Sequence, residues 1–328
     1  MNLSIFIFCY ERPYYLIRQL EIFKFFKINA KIYILDGSEE NFKRELIKKI
    51  SSEYNLNYFH NFSYNERICF IKEVLNTKYY AYCSDDDVID PQYYYDAINF
   101  LDKNKNYSSA SGKNISIQYK KKYPLLGFRL VNHLKHTYDT KTDDFIEKWN
   151  ILDNAYRRGT PPIYYAVKRK QCYEKFEKYV KKLKYAIFIE QLDKITTLSC
   201  GNVVTLDTFM GLRDYSSESI IYKEREPKVD DIVKNDENIL IQSIKDNLSS
   251  ICDRKYLEKA TNLVLTSHKQ KLLSSNKTLL LKNNFFKIFY SILFNYFLNI
   301  NQYGISKKFM HVFKKSHIKL SKTFNKNL

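Results

Sequence analysis

The first hundred residues alternate between apolar runs of strand length and segments with helical spacing, and this alternation leaves few folds open. Leu3-Ser4-Ile5-Phe6-Ile7-Phe8 reads as a buried strand that stops at Cys9-Tyr10-Glu11-Arg12-Pro13, after which Tyr14 to Phe26 has helical spacing. A second strand, Lys31 to Leu35, ends at Asp36-Gly37-Ser38 and precedes a helix near Asn41 to Ser51. A short strand at Leu56 to His60, a helix across Tyr64 to Leu75 and the strand Tyr79-Tyr80-Ala81-Tyr82-Cys83 follow. Such alternation implies right-handed crossovers and a largely parallel sheet flanked by helices, an α/β class. Ligands of these sheets bind beyond the carboxyl ends of the strands, which is where Arg12, Asp36 and Asp85-Asp86-Asp87 should gather.

The acidic triplet carries its own chemistry. Adjacent carboxylates repel one another, so a strand end keeps three of them chiefly where a cation or a proton offsets the repulsion. Magnesium or manganese needs only one or two carboxylates when substrate phosphates complete its oxygen shell, so a metal-bridged phosphate site is one reading. A solvated acidic turn is the other, because a helix starts near Pro91 and carboxylates suit its N-terminal dipole.

With those residues set out, the chain resembles the nucleotide-sugar half of family 2 glycosyltransferases with a GT-A fold. The shared features are a first strand ending in an Arg-containing loop, a second ending in Asp, and a fourth ending in an Asp-rich motif with Pro a few residues on. The segments "LDGSEE" and "YCSDDDVIDP" are similar to a bacterial subgroup of glycosyltransferase-domain proteins. The resemblance implies a nucleotide-sugar contact set of Tyr10, Glu11, Arg12, Asp36, Arg67, Asp85 and Asp86, with Asp36 at the nucleobase and Arg67 near the base or phosphates. It also implies magnesium or manganese on Asp85, Asp86 and Asp87, with Asp86 matching the metal carboxylate best by its spacing to Pro91. Ser84 departs from the family, standing where many relatives carry the first Asp of Asp-x-Asp.

The same resemblance points to a catalytic base further on. Ala186 to Cys200 has helical spacing with Gly201 placed as a C-cap, and Asn202 to Leu206 reads as a strand that Gly211-Leu212-Arg213-Asp214 follows. Relatives carry a Glu-Asp pair about one helix before such a Gly; here Ile189-Glu190 takes its place, so Glu190 aligns with the base. Asp193, one turn later, competes for the role because i and i+3 share a helix face. Solvent-facing positions for both are the alternative.

Between these halves, Ser108 to Tyr119 and Ile163 to Val167 read as strands, while Lys120-Lys121-Lys122 and His133-Leu134-Lys135-His136 read as an exposed acceptor-side loop. Arg158, with Arg157 before Gly159, and Arg213 are candidate phosphate or acceptor contacts. The six cysteines show neither Cys-x-x-Cys spacing nor a disulfide framework, and no charged leader precedes the first strand, so the expectation is a cytoplasmic protein with reduced thiols.

Charge sets the C-terminal part of the chain apart. Of a formal net +18, residues 259–328 contribute thirteen lysines and no Arg, Asp or Glu. Within them Phe285, Phe286, Ile288, Phe289, Ile292, Leu293, Tyr296 and Phe297 recur at helical spacing, interrupted by Lys287 and Asn295. This suits a helix lying on an anionic membrane surface; a helix packed on the domain is the competing reading, and the lack of Arg and of any binding motif argues against nucleic acid.

The domain plan expected is a GT-A unit over residues 1–225, divided into a nucleotide-sugar half (1–105) and an acceptor half (106–225), a linker and helix (226–258), and a basic helical extension (259–328). The function that follows is a glycosyltransferase, peripheral on the inner face of the membrane. It would move a sugar from a nucleotide diphosphate donor, UDP-sugar favoured, to a hydroxyl of a glycan or lipid-linked acceptor, with inversion. A non-catalytic scaffold of a polysaccharide assembly complex and a nucleotidyltransferase are the alternatives, the second weakened by the missing Gly-rich loop.

Overall fold

The computed structural model describes residues 1–118, 129–132, 137–157, 163–214, 230–249, 252–275 and 305–326. Its first half follows the expected alternation: β1 (Leu3–Cys9), α1 (Pro13–Phe25), β2 (Lys31–Asp36), α2 (Asn41–Glu53), β3 (Asn57–His60), α3 (Tyr64–Val74) and β4 (Tyr79–Ser84). A two-residue strand, β5 (Val88–Ile89), then leads into α4 (Pro91–Lys103). Pro13 and Pro91 open their helices, where a missing N–H costs nothing, and Asp90 caps α4 by accepting from the Gln92 N–H at 3.0 Å. The second half comprises β6 (Tyr107–Gln118), β7 (Arg129–Asn132), α5 (Phe145–Arg157), β8 (Val167–Arg169), α6 (Lys170–Val180), α7 (Ala186–Cys200) and β9 (Asn202–Asp214). Three helices follow, α8 (Asp230–Leu248), α9 (Arg254–Ser275) and α10 (Lys307–Lys326).

The strands form one sheet in the order β3-β2-β1-β4-β8-β6-β9-β5, with β7 added on β6. β1 to β4 run parallel, as do β6 and β9, while β8 is antiparallel to both β4 and β6 and so joins the two halves with a common direction. Strands buried on both faces must be apolar throughout, and β1 is buried at every position. One face of the sheet carries a core around Phe6, Tyr80, Tyr82, Trp149, Tyr173 and Phe188 under α3 and α5 to α9, and the other a core around Ile5, Ile34, Tyr93 and Leu101 under α1, α2 and α4. This is the mostly parallel, helix-flanked α/β architecture expected from the sequence.

Two elements differ from the sequence reading. Ile163 to Tyr165 is a turn of 3-10 helix and β8 begins only at Val167, because the Tyr164 carbonyl accepts from Lys168 Nζ at 2.9 Å instead of entering a ladder. β9 runs on through Gly211 to Asp214, where the expected strand stopped at Leu206. Gly211 is a close-approach residue: a Cβ there would collide with the main-chain oxygen of Val88, so glycine lets β5 pair with β9. Gly201 ends α7 as expected, and a Cβ there would sit 2.7 Å from the Asn106 carbonyl.

The basic C-terminal segment is in part a packed one. α10 buries Phe309, Met310, Val312 and Phe313 with Ile305 against Ile22 of α1, Val88 of β5, and Ile115, Ile117, Phe209 and Leu212 of β6 and β9. Each fully buried Phe is worth about 1.5–3 kcal/mol, so this helix is held by apolar contact rather than by its charge. Its outer face presents Lys307, Lys308, His311, Lys314 and Lys315 to solvent. The apolar stripe from Phe285 to Phe297, like Lys120 to Lys122, His133 and His136, lies outside the described residues. Among the described residues no helix is long and apolar enough to cross a membrane.

Candidate functional site

The strand order reverses between β1 and β4, and at such a reversal a parallel sheet has its ligand crevice beyond the carboxyl ends of the strands. Arg12 leaves β1 and reaches across it: Nη2 lies 2.5 Å from Asp85 Oδ1, and Nη1 pairs with Asp86. The cation that offsets the repulsion within the triplet is thus, in this structure, a guanidinium. Burial works against the charge on Arg12, yet Asp85 and Asp86 hold its pKa above the usual range. For Asp85 burial outweighs Arg12 and pushes the carboxyl up to about 7. Asp87 is also raised to about 7, by burial and by Asp86, with Arg213 opposing.

The three carboxylates face different ways. Asp85 accepts from the Tyr10 N–H at 3.1 Å, Asp86 accepts from the Ser84 hydroxyl as well as from Arg12, and Asp87 accepts from the Asp214 N–H at 3.4 Å. Among the described residues no group of three His, Cys, Asp or Glu side chains converges to hold a metal ion. Asp85, Asp86 and Asp87 each accept from a different donor. Asp86 keeps 12% of its side chain exposed while Asp85 keeps none, so Asp86 is the carboxylate of this pair that faces outward.

The neighbouring strand end is just as ordered. Asp36 is buried; its Oδ1 accepts from the Ser38 N–H at 2.9 Å and the Ser38 hydroxyl at 2.7 Å, and its Oδ2 from the Tyr58 hydroxyl at 2.8 Å. Arg67 comes up from α3 and donates to the carbonyls of Cys9 and Leu35 at 3.1 and 3.3 Å, filling the gap between β1 and β2. Its guanidinium lies against Gly37, where a Cβ would be only 2.5 Å away. Glu11 holds the next turn in a left-handed conformation, φ 56°. Its N–H donates to Ser38 Oγ at 2.8 Å and its carboxylate accepts from the Glu39 and Glu40 N–H groups at 2.7 and 2.8 Å, satisfying the N-terminus of α2. Tyr10 donates its hydroxyl to Glu39 at 3.1 Å. All seven expected nucleotide-sugar residues therefore sit at one end of the sheet, but Glu11 and Asp36 spend their oxygens ordering the loops.

From the second half, Arg213 at the end of β9 stacks over Tyr165 at 5.4 Å. Burial raises the Tyr165 phenol, Arg213 opposes, and the charges of Asp87 and Glu190 add to the rise. Glu190 is half-buried on α7. Asp193 is not its equivalent. Both Asp193 oxygens accept from Lys168 Nζ, at 2.9 and 2.7 Å, and both side chains are fully buried. The rings of Tyr80, Tyr82 and Tyr164 enclose the ammonium at 4.9 to 5.6 Å. Burial raises Asp193 to about 6, against the pull of Lys168, and lowers the Lys168 pKa. The i, i+3 relation does not give the two carboxylates a shared environment, since the sealed pair leaves Asp193 no path to a substrate. Arg158 lies outside the described residues. Tyr165, Lys168 and Arg18, described below, escaped the sequence reading; a tyrosine or a cation inside an apolar pattern carries no signal of its partner.

No protein-family model matches the sequence, and no curated protein matches it. Solved structures do. Residues 1–349 of S. aureus TarS share 13% identity with a TM-score of 0.57, over 99% of this chain and 90% of that one. The same TarS fragment in complex with UDP-GlcNAc gives 12% identity and a TM-score of 0.57, over 99% and 91%. Against the longer TarS chain the identity is 12% and the TM-score 0.55, and this chain spans 55% of it. At such identity the likeness is one of fold, and it extends along nearly the whole chain.

Proposed function

We propose that the protein is a glycosyltransferase that moves a sugar from a nucleotide diphosphate donor, UDP-sugar first, to a hydroxyl of a glycan or lipid-linked acceptor, with inversion. The observation that carries this reading is the crevice between β1 and β4, where Arg12 bridges Asp85 and Asp86 beside Asp36 and Arg67. The fold likeness supports it, since TarS has been solved with UDP-GlcNAc and with UDP.

Each residue then has a task. Arg12 is a planar donor fork already poised over the site, and a diphosphate offers it the bidentate partner that the carboxylates now supply. Arg67 and Asp36 shape the floor on which a nucleobase lies. Hard carboxylate oxygens suit magnesium or manganese, and Asp86 is the residue that would hold it; when bound, the ion would supply charge stabilisation for the leaving diphosphate. Asp85 is buried and hydrogen-bonded to the Tyr10 N–H, and it orients Arg12 rather than a ligand. Glu190, half-buried on α7, accepts the proton of the acceptor hydroxyl. The lysine face of α10 offers anionic lipid about 1 kcal/mol per lysine near the surface, which would bring the enzyme to lipid-linked acceptors. A thermal-shift screen of nucleotide sugars with and without manganese tests this reading. Stabilisation by UDP or a UDP-sugar, larger with manganese, is the expected result, and no shift with any nucleotide sugar would contradict it.

A further inference from the structure

Arg18 has no place in the roles above, yet it touches the acidic loop from behind. Its side chain is fully buried on α1. Nη1 donates to Asp214 Oδ2 at 2.9 Å, and Nη2 donates to the main-chain oxygen of Asp86 at 2.5 Å. The next residue, Gln19, treats Ile89 as a neighbouring strand would: Ile89 N–H donates to Gln19 Oε1 at 2.7 Å, and Gln19 Nε2 donates to the Ile89 carbonyl at 3.4 Å. α1 therefore grips the segment from Asp86 to Ile89 through its backbone at both ends. The Asp86 carboxylate, which accepts from Arg12 and Ser84, is not part of this grip.

The other side of this arrangement is the C-terminal helix. The Arg18 guanidinium stands 5.2 Å from the Tyr15 ring centroid and 5.9 Å from that of Phe313. Phe313 is fully buried with Ile22, Val88 and Leu212, so α10 closes the pocket in which Arg18 sits. Asp214 in turn donates its N–H to Asp87, and Leu212 and Gly211 pair with Val88 and Ile89. One guanidinium thus ties α1, the acidic loop, the end of β9 and the wall formed by α10.

We propose that Arg18 is a positioning residue that fixes the backbone of the acidic loop against the end of β9, and that docking of the C-terminal helix on Arg18 conditions nucleotide-diphosphate binding. Its second half rests on the nucleotide-sugar reading; the first does not. A purely structural ion pair makes a different forecast, because a buried pair replaced by neutral side chains of similar size is often no less stable. The bond to the Asp86 carbonyl cannot be replaced in this way.

The experiment compares wild type, the double variant Arg18→Met with Asp214→Asn, and Phe313→Leu, each as the full chain. Amide hydrogen exchange is measured without nucleotide, and UDP affinity is measured by calorimetry with manganese. The double variant should keep a melting temperature near that of wild type while residues 85–89 exchange faster and UDP binds about tenfold more weakly, the consequence of losing one charge-assisted hydrogen bond. Phe313→Leu should shift both readouts the same way by less. Wild-type exchange and wild-type UDP affinity in the double variant would overturn the proposal. Should that variant not fold, Phe313→Leu decides, and unchanged exchange at residues 85–89 overturns it. Failure of the wild type to bind UDP counts against the nucleotide-sugar reading alone, because the exchange measurement judges the positioning role without it.

Discussion

Arg12 with Asp85 and Asp86, and Lys168 with Asp193, are built from the same parts: a cation, a carboxylate raised by burial (Asp85 in one, Asp193 in the other), and tyrosines nearby. They differ in where the sheet puts them. The first stands at the strand ends with Arg12 15% exposed and Asp86 12%; the second is under the sheet with both side chains at zero. The first keeps Arg12 and Asp86 partly exposed, the access that an exchange of protein partners for ligand atoms requires. The second has no such access, and three tyrosine rings replace the water its ammonium has lost. Access rather than pKa separates the two clusters, since Asp85 and Asp193 are both buried and both displaced upward, and only the first cluster has a partly exposed carboxylate beside them, Asp86.

Glu190 offers the largest effect with which to sharpen this contrast. Glu190→Gln keeps the shape but cannot take a proton, so turnover should fall by about two to four decades while UDP affinity persists. Steady-state kinetics beside calorimetry read both, and near-normal turnover would move the base to another carboxylate at the crevice. Lys168→Met probes the sealed cluster. It leaves Asp193 buried without its cation, which costs about 3–5 kcal/mol, and denaturant unfolding should show that loss. Adding Asp193→Leu should return much of it; a single variant as stable as wild type would mean that the pair is not sealed.

Titration separates the clusters more gently. Asp85 and Asp87 have folded-state values of about 7, above the roughly 3.9 of an unfolded aspartate, so between those values the folded chain holds more protons than the unfolded one. Their contribution to stability is fully present below about pH 4 and is lost as the pH rises through 7. Without metal, the melting temperature measured by calorimetry should fall from pH 5 to pH 8, and Asp85→Asn should make that fall shallower. An Asp85→Asn profile parallel to wild type would show that Asp85 does not carry the linkage.

Much of this was legible in the sequence wherever a strand ended in polar residues. β1, β2 and β4 each stop at such residues, and Arg12, Asp36 and Asp85 to Asp87 arrive at one crevice as the parallel topology requires. Partner choice was not legible. Arg18 and Lys168 are single cations in apolar patterns, and on a helix or strand of unknown orientation such residues read as a solvated edge. Tyr164 and Tyr165 read as strand because their run is apolar, whereas Lys168 draws the Tyr164 carbonyl into a turn. Gly211 read only as following the strand that ended at Leu206, whereas its missing side chain admits β5 to the sheet. Lysines dominated the reading of the C-terminal segment and concealed that α10 turns Phe309 and Phe313 inward.

The central claim is that the crevice between β1 and β4 binds a nucleotide diphosphate through Arg12 and Asp86. Titration calorimetry of UDP into the wild type and into Asp86→Ala, with and without manganese, tests it most directly, with circular dichroism melting as the check on folding. Wild-type binding should tighten with manganese, and in a folded Asp86→Ala protein that tightening should be gone. Unchanged manganese-dependent binding in a folded Asp86→Ala protein, or no UDP binding by the wild type, would contradict it.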